Sequence, residues 1–101
     1  MKATIYAIKH LYNNQIYIGS TIEKNIKVRL SKHKYDSRFE SRAKPFHKII
    51  NETGGWSQYY ISVIKELDCD SIEELRCREK QIILNYKANP NYHVMNYNNI
   101  Y

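Results

Sequence analysis

In the stretch EELRCREKQIILNY, residues 73 to 86, apolar side chains recur at helical intervals through Ile72, Leu75, Ile82, Ile83 and Tyr86, and a carboxylate, Glu79, falls on the same stripe. Three readings fit: a buried carboxylate paired with a cation, a metal ligand, or an exposed residue beside a narrower stripe. Left unpaired in a core it would cost several kcal/mol. Arg29 and His33, four apart in STIEKNIKVRLSKHK, stack on one face of a helix. A guanidinium holds two phosphate oxygens in a plane and an imidazole gives or takes a proton, so the pair suits a phosphate; a solvated basic face is the alternative. Tyr6 and Tyr17 are either an aromatic cross-strand pair or groups that move a proton. A phenol with its ordinary pKa near ~10 is a poor base until a cation lowers it. The second reading therefore needs the tyrosines, Arg29, His33 and Glu79 to converge.

The elements that must position these residues follow from pattern. TIYAIKHLYNNQIYIGS reads as a hairpin closed by Asn13-Asn14, which predicts that Tyr17 faces His10. Alternation then places Ile5, Ala7, Leu11, Ile16 and Ile18 on a core side, and Tyr6, Ile8, His10, Tyr17 and Gly19 on the other. Ser20 with Glu23 resembles a capping box opening a helix whose stripe is Ile22, Ile26 and Leu30. After a linker, YDSRFESRAK, Pro45 opens a short helix through Phe46, Ile49 and Ile50 that ends at Gly54-Gly55. A third strand is expected from about Gln58 to Glu66. Ser71 with Glu74 caps the helix that carries Glu79, and Pro90 marks its far side. The tail YHVMNYNNIY is a strand-like return. The class is α+β, in the order ββααβα with a short C-terminal tail.

With 101 residues, aliphatic side chains spread throughout and no Pro/Gly/Ser-rich run, the chain is expected to form a single domain, 1-101. A formal charge of +6 and a pI near 9.3 favour a polyanionic partner. The positive charge concentrates between Lys24 and Lys48, where Lys27, Lys32, Lys34, Arg38, Arg42 and Lys44 alternate with Tyr35 and Phe39, which points to nucleic acid. The N-terminus lacks the apolar region of a secretory signal and no apolar run is long enough to span a membrane, so an intracellular protein, cytoplasmic or in the nucleoid or nucleus, is expected. Cys69 and Cys77 match neither a disulfide scaffold nor a zinc site and read as reduced thiols.

TIY at Thr4 to Tyr6, YIG at Tyr17 to Gly19, VRLSKH with Arg29 and His33, REKQII with Glu79 and VMNYN with Asn96 form an ordered set. Together they resemble the GIY-YIG nuclease family over nearly the whole chain. That resemblance implies a small three-stranded antiparallel sheet flanked by helices, and metal-dependent endonucleolytic cleavage of DNA phosphodiesters. It implies that Glu79 binds a single divalent cation, Mg²⁺ or Mn²⁺, and that Tyr6 is the general base while Tyr17 assists it or positions the phosphate, roles that could be exchanged. Arg29 would stabilise charge on the phosphate, His33 would contact the phosphate or hold the tyrosine, and Asn96 would order the network around metal and hairpin. Thr4 replaces the family's opening glycine and could tighten the site. The competing readings are a structure-selective nuclease for branched DNA, a DNA-binding module without catalysis, and a basic scaffold for protein contacts. The chain length suggests a catalytic core without a separate recognition module, so sequence specificity is expected to be modest, with selectivity or two-strand cutting supplied by a partner or a homodimer.

Overall fold

The computed structural model of the chain describes residues 1–96. Strands β1 (Lys2–His10) and β2 (Gln15–Thr21) form the hairpin, helices α1 (Ile26–Asp36) and α2 (Pro45–Glu52) follow, and β3 (Tyr59–Asp68), α3 (Ile72–Lys87) and β4 (His93–Val94) complete the chain. The sheet is four-stranded and mixed, in the order β3-β1-β2-β4, because the tail returns as a short strand parallel to β2. This adds an edge strand to the three antiparallel ones expected; residues 97–101 of the tail lie outside the described residues.

The hairpin loop is longer than two residues. Ile8 pairs with Tyr17 and Lys9 with Ile16, so Tyr17 faces Ile8 and not His10. The reason is local: His10 Nδ1 accepts the Tyr12 and Asn13 backbone N–H groups, and the Asn13 side chain accepts that of Gln15, which closes a wider turn. The slip is by two positions in the pairing sum, so every side chain within the two strands keeps its face, whereas Leu11, expected on the core side, falls in the loop and is exposed.

Both faces of the sheet are covered, not one. Ala3, Ile5, Ala7, Ile16 and Ile18 pack against Leu75 and Ile83 of α3, while Tyr6, Ile8 and Tyr59 pack against Phe46 and Ile50 of α2 and Met95. A bulge in the pairing of β1 with β3, between Ile5 and Tyr6, lets Ile64 and Leu67, which differ in parity, share the α3 core. Helix α1 begins later than the sequence pattern suggested. Asn25 is its cap, accepting the Lys27 N–H at 2.9 Å, whereas Ser20 and Thr21 remain in β2 and Ile22 is exposed. Helix α2 starts at Pro45 as expected, and Gly54 and Gly55 behind it take positive φ, which a side chain resists. Helix α3 is capped as expected, Ser71 accepting the Glu74 N–H. Among the described residues no helix is long and apolar enough to cross a membrane. Both cysteines are free thiols, Cys69 buried and Cys77 exposed.

Candidate active site

Tyr6 pairs with Gly19 across the hairpin, and its ring crosses the space a side chain would fill on β2. A Cβ built at Gly19 would stand 2.5 Å from Tyr6 Oη and 3.1 Å from Tyr17 Cε2. Glycine at 19 is therefore what lets the phenol reach past β2 to the sheet's edge. There it meets an open cleft of about 910 Å³, lined among others by Tyr17, Arg29, Lys44, Phe46, Glu79 and Asn96.

The cleft draws on separate parts of the chain. Helix α1 supplies Arg29, half-buried, whose Nε donates to Tyr6 Oη at 3.3 Å. One turn later His33 is buried at 1% exposure, with Nε2 lying 2.7 Å from the same oxygen. Buried there, His33 meets the phenol oxygen and not open solvent. Burial, reinforced by the Arg29 charge, pulls the His33 pKa down to about 3, so the ring is neutral near pH 7. Tyr6 is raised above its ordinary pKa because burial outweighs the opposing pull of Arg29. Convergence with Arg29 alone therefore does not make it acidic; in the free protein it is a phenol. Tyr17 is only partly buried and stacks on Phe46, centroids 3.6 Å apart and planes within 10°. That stacking fixes the second phenol at the cleft wall.

Glu79 lies between Leu75 and Ile83 on the face of α3 that packs on the sheet. Helix α3 covers β2 and β4, the sheet's edge, so one position of its inward stripe overhangs the cleft and not the core. This answers why a carboxylate interrupts the stripe. Arg76 and Lys80 from the same helix also line the cleft; no motif singled them out, though Arg76, three residues before Glu79, shares its helix face. Asn96 makes a two-point contact with β2: its Oδ1 accepts the Ile18 N–H at 2.9 Å and its Nδ2 donates to the Ile18 carbonyl at 2.6 Å. The carboxamide thus orders the hairpin.

Of the basic residues singled out in the sequence, Lys44 lines this cleft, with its pKa lowered by desolvation and by Arg29 even though much of its surface is exposed. Lys32 lines an adjoining cavity beside Arg29 and pairs with Glu23. Lys27, Lys34, Arg38 and Arg42 are exposed outside the cleft wall, Arg42 over the rings of Tyr35 and Phe39. Thr4 lines a different cavity, with Ile22 and Leu67, so the residue replacing the family's glycine does not narrow this one. His47, which no pattern marked, is fully buried behind His33.

A divalent cation has one carboxylate to use here, Glu79, among the described cleft residues, and those residues contain no cluster of three or more His, Cys, Asp or Glu. Such a site suits Mg²⁺ or Mn²⁺, hard ions that keep several waters and bind through one or two carboxylates plus substrate phosphate. It does not suit a structural zinc.

Comparison with known proteins identifies the family and the fold. The GIY-YIG catalytic domain matches residues 2–98. Two proteins of invertebrate iridescent virus 6 are similar: uncharacterized protein 019R, 34% identical over 82 residues, and putative MSV199 domain-containing protein 146R, 31% identical over 85 residues. These matches cover 81% and 84% of this chain but 28% and 34% of those proteins, so the chain spans about a third of their length. Among solved structures, the catalytic domain of the homing endonuclease I-TevI superposes with a TM-score of 0.67 at 21% identity, covering 94% of this chain and 99% of that one. A mutant of that catalytic domain gives 0.66 at 23% identity, covering 92% of each chain. These two likenesses establish the fold.

Proposed function

The chain belongs to the GIY-YIG family, as an endonuclease catalytic domain, and we propose that it is a metal-dependent DNA endonuclease that hydrolyses phosphodiester bonds with a tyrosine-activated water. The observation that supports this best is the meeting of Tyr6, Tyr17, Arg29 and Glu79 around one cleft from four separate elements. A merely basic scaffold has no need of two phenols, a guanidinium and a carboxylate on a single wall.

Glu79 would hold Mg²⁺ or Mn²⁺; bound there, the cation would carry a non-bridging phosphate oxygen and stabilise the leaving 3′ oxygen. Arg29, already hydrogen-bonded to Tyr6, faces the charge that develops on the phosphate, a role worth about 2.7–4 kcal/mol for a preorganised donor. Tyr6 takes the proton of the attacking water once its own has left, and the N–H of Arg29 then stabilises the phenolate. Tyr17, braced on Phe46, positions the phosphate. His33 holds Tyr6 in place and Asn96 holds β2. Lys44 on the rim, with Lys27, Lys32, Lys34, Arg38 and Arg42 beyond it, would contact the DNA backbone without reading sequence.

The test is nicking of supercoiled plasmid with Mg²⁺, with chelator, and with the Glu79→Ala chain. Metal-dependent nicking that falls by about 10²-fold or more in the variant is expected. Salt-sensitive DNA binding with no nicking of plasmid or of branched DNA would replace this reading with that of a binding module.

A further inference from the structure

A row of hydrogen bonds runs from the start of α2 to the cleft, and its far end fixes its direction. The Lys44 backbone N–H donates to His47 Nδ1 at 3.0 Å. That nitrogen therefore carries no proton. Burial and the Lys44 charge pull the His47 pKa down to about 4, so the ring is neutral and its one proton sits on Nε2. His47 Nε2 lies 3.1 Å from His33 Nδ1 and must be the donor. The same step then applies to His33. It is neutral and its Nδ1 is occupied as an acceptor, so its proton sits on Nε2 and is donated to Tyr6 Oη. With Arg29 Nε donating as well, the phenol oxygen accepts two N–H groups, and its own hydrogen is left to point into the cleft.

We propose that His47 is a positioning residue for the proposed reaction: held by the Lys44 amide, it sets the tautomer of His33 and so aims the Tyr6 hydroxyl at the substrate. This rests on Tyr6 being the reacting phenol. One consequence is that His33 does not take the Tyr6 proton, because the nitrogen facing it is already protonated. The proton passes to water in the cleft, and the resulting phenolate is met by two donors, both of which favour the charged form. In the opposite tautomer Tyr6 would spend its hydrogen on His33, and its anion would face a lone pair. His47 also ties down the first turn of α2, so a purely structural role is the alternative to exclude.

Ring-nitrogen NMR separates the two, since protonated and unprotonated imidazole nitrogens resonate far apart. In the native chain near pH 7, His33 and His47 should each show a protonated Nε2 and a bare Nδ1. In His47→Phe, which keeps an aromatic ring beside Phe46 and Trp56 but has no donor, the His33 signals should move toward a mixture of tautomers and nicking should fall by about 10- to 100-fold. His47→Gln, whose amide N–H reaches the same nitrogen, should restore the single tautomer and much of the rate. A native His33 protonated on Nδ1, or a folded His47→Phe with the His33 tautomer and rate unchanged, overturns the proposal. The tautomers are read without turnover. A native chain that shows the expected signals but never nicks DNA would overturn the nuclease reading, while the His33 signals still decide the direction of the relay.

Discussion

Replacing Gly19 with alanine should cost both activity and stability. The new Cβ would lie 2.5 Å from Tyr6 Oη and 2.6 Å from Cζ. Carbon contacts become favourable at about 3.5 Å, so the phenol must retreat by about 1 Å. Gly19 does not have positive φ, so no backbone strain contributes and the effect is steric. Tyr6 has 0% exposure, so the movement must be taken up by its packed neighbours or into the cleft that it borders. A shift of about 1 Å away from His33 would stretch the 2.7 Å contact past hydrogen-bonding distance and would loosen the 3.3 Å contact with Arg29. Overpacking of this kind costs about 1–3 kcal/mol, which in a domain of this size lowers Tm by about 4–8 °C per kcal/mol. A displacement of about 1 Å at a reacting group costs about 10²-fold in rate. Plasmid nicking, measured well below the lowered Tm so that the folded fraction is unchanged, should therefore fall by about 10²-fold. A variant that nicks within about threefold of the native rate, with its Tm unmoved, would refute both the steric argument and the placement of chemistry at Tyr6 Oη.

Acid should destabilise the fold through His33 and His47. Their folded pKa values, about 3 and about 4, lie below the ordinary 6.5, so the unfolded chain binds more protons between those values. The stabilisation is complete above 6.5 and is lost as pH falls towards the folded values, at up to about 1.4 kcal/mol per pH unit for each ring. Urea midpoints at about pH 7 and about pH 5 should differ accordingly, and equal midpoints would show that neither ring is held neutral. Asn96→Ala removes two hydrogen bonds to Ile18 and should lower stability by about 1–3 kcal/mol by urea unfolding; a loss below about 0.5 kcal/mol would mean that water replaces the carboxamide. Substituting Lys34, Arg38 or Arg42 with alanine should weaken DNA binding and reduce the salt slope by about 0.9 for each phosphate that is no longer neutralised, with no change for a side chain that touches none.

Local rules carried well from sequence to structure where they act within one element. Ser71 caps α3, Pro45 opens α2, and alternation sorts the strand residues of the hairpin, though not Leu11 in its loop, onto their correct faces although the register differs from the expected one, because a slip of an even number of positions leaves parity intact. What failed depended on contacts distant in sequence or on side chains competing for backbone groups. His10 captures two loop N–H groups, which no turn propensity for Asn-Asn encodes. Ser20 and Glu23 have the spacing of a cap, but β2 continues through Thr21 by pairing with β1, and Asn25 takes the cap instead. His47 carries no periodic or motif signal. Its importance comes from an α2 turn lying against α1, a tertiary fact.

The site spans both faces of the sheet, a geometry that depends on where the fourth strand stops. Tyr6, Tyr17, Arg29 and His33 belong to the α1–α2 side, whereas Glu79 comes from α3 on the opposite side. A sheet that continued past β2 would separate them. Strand β4 pairs only through Gln15 and Ile16, and the next step of the ladder, at Ile18, is completed by the Asn96 side chain in place of a backbone. Beyond it lies Gly19, which has no side chain to block the edge, so the Tyr6 ring extends over β2 toward the carboxylate overhanging from α3. Asn96 and Gly19 thus act on one requirement from two sides: the first meets the Ile18 backbone groups where the strand pairing ends, and the second leaves the edge thin enough for a phenol and a carboxylate from opposite faces to line one cleft.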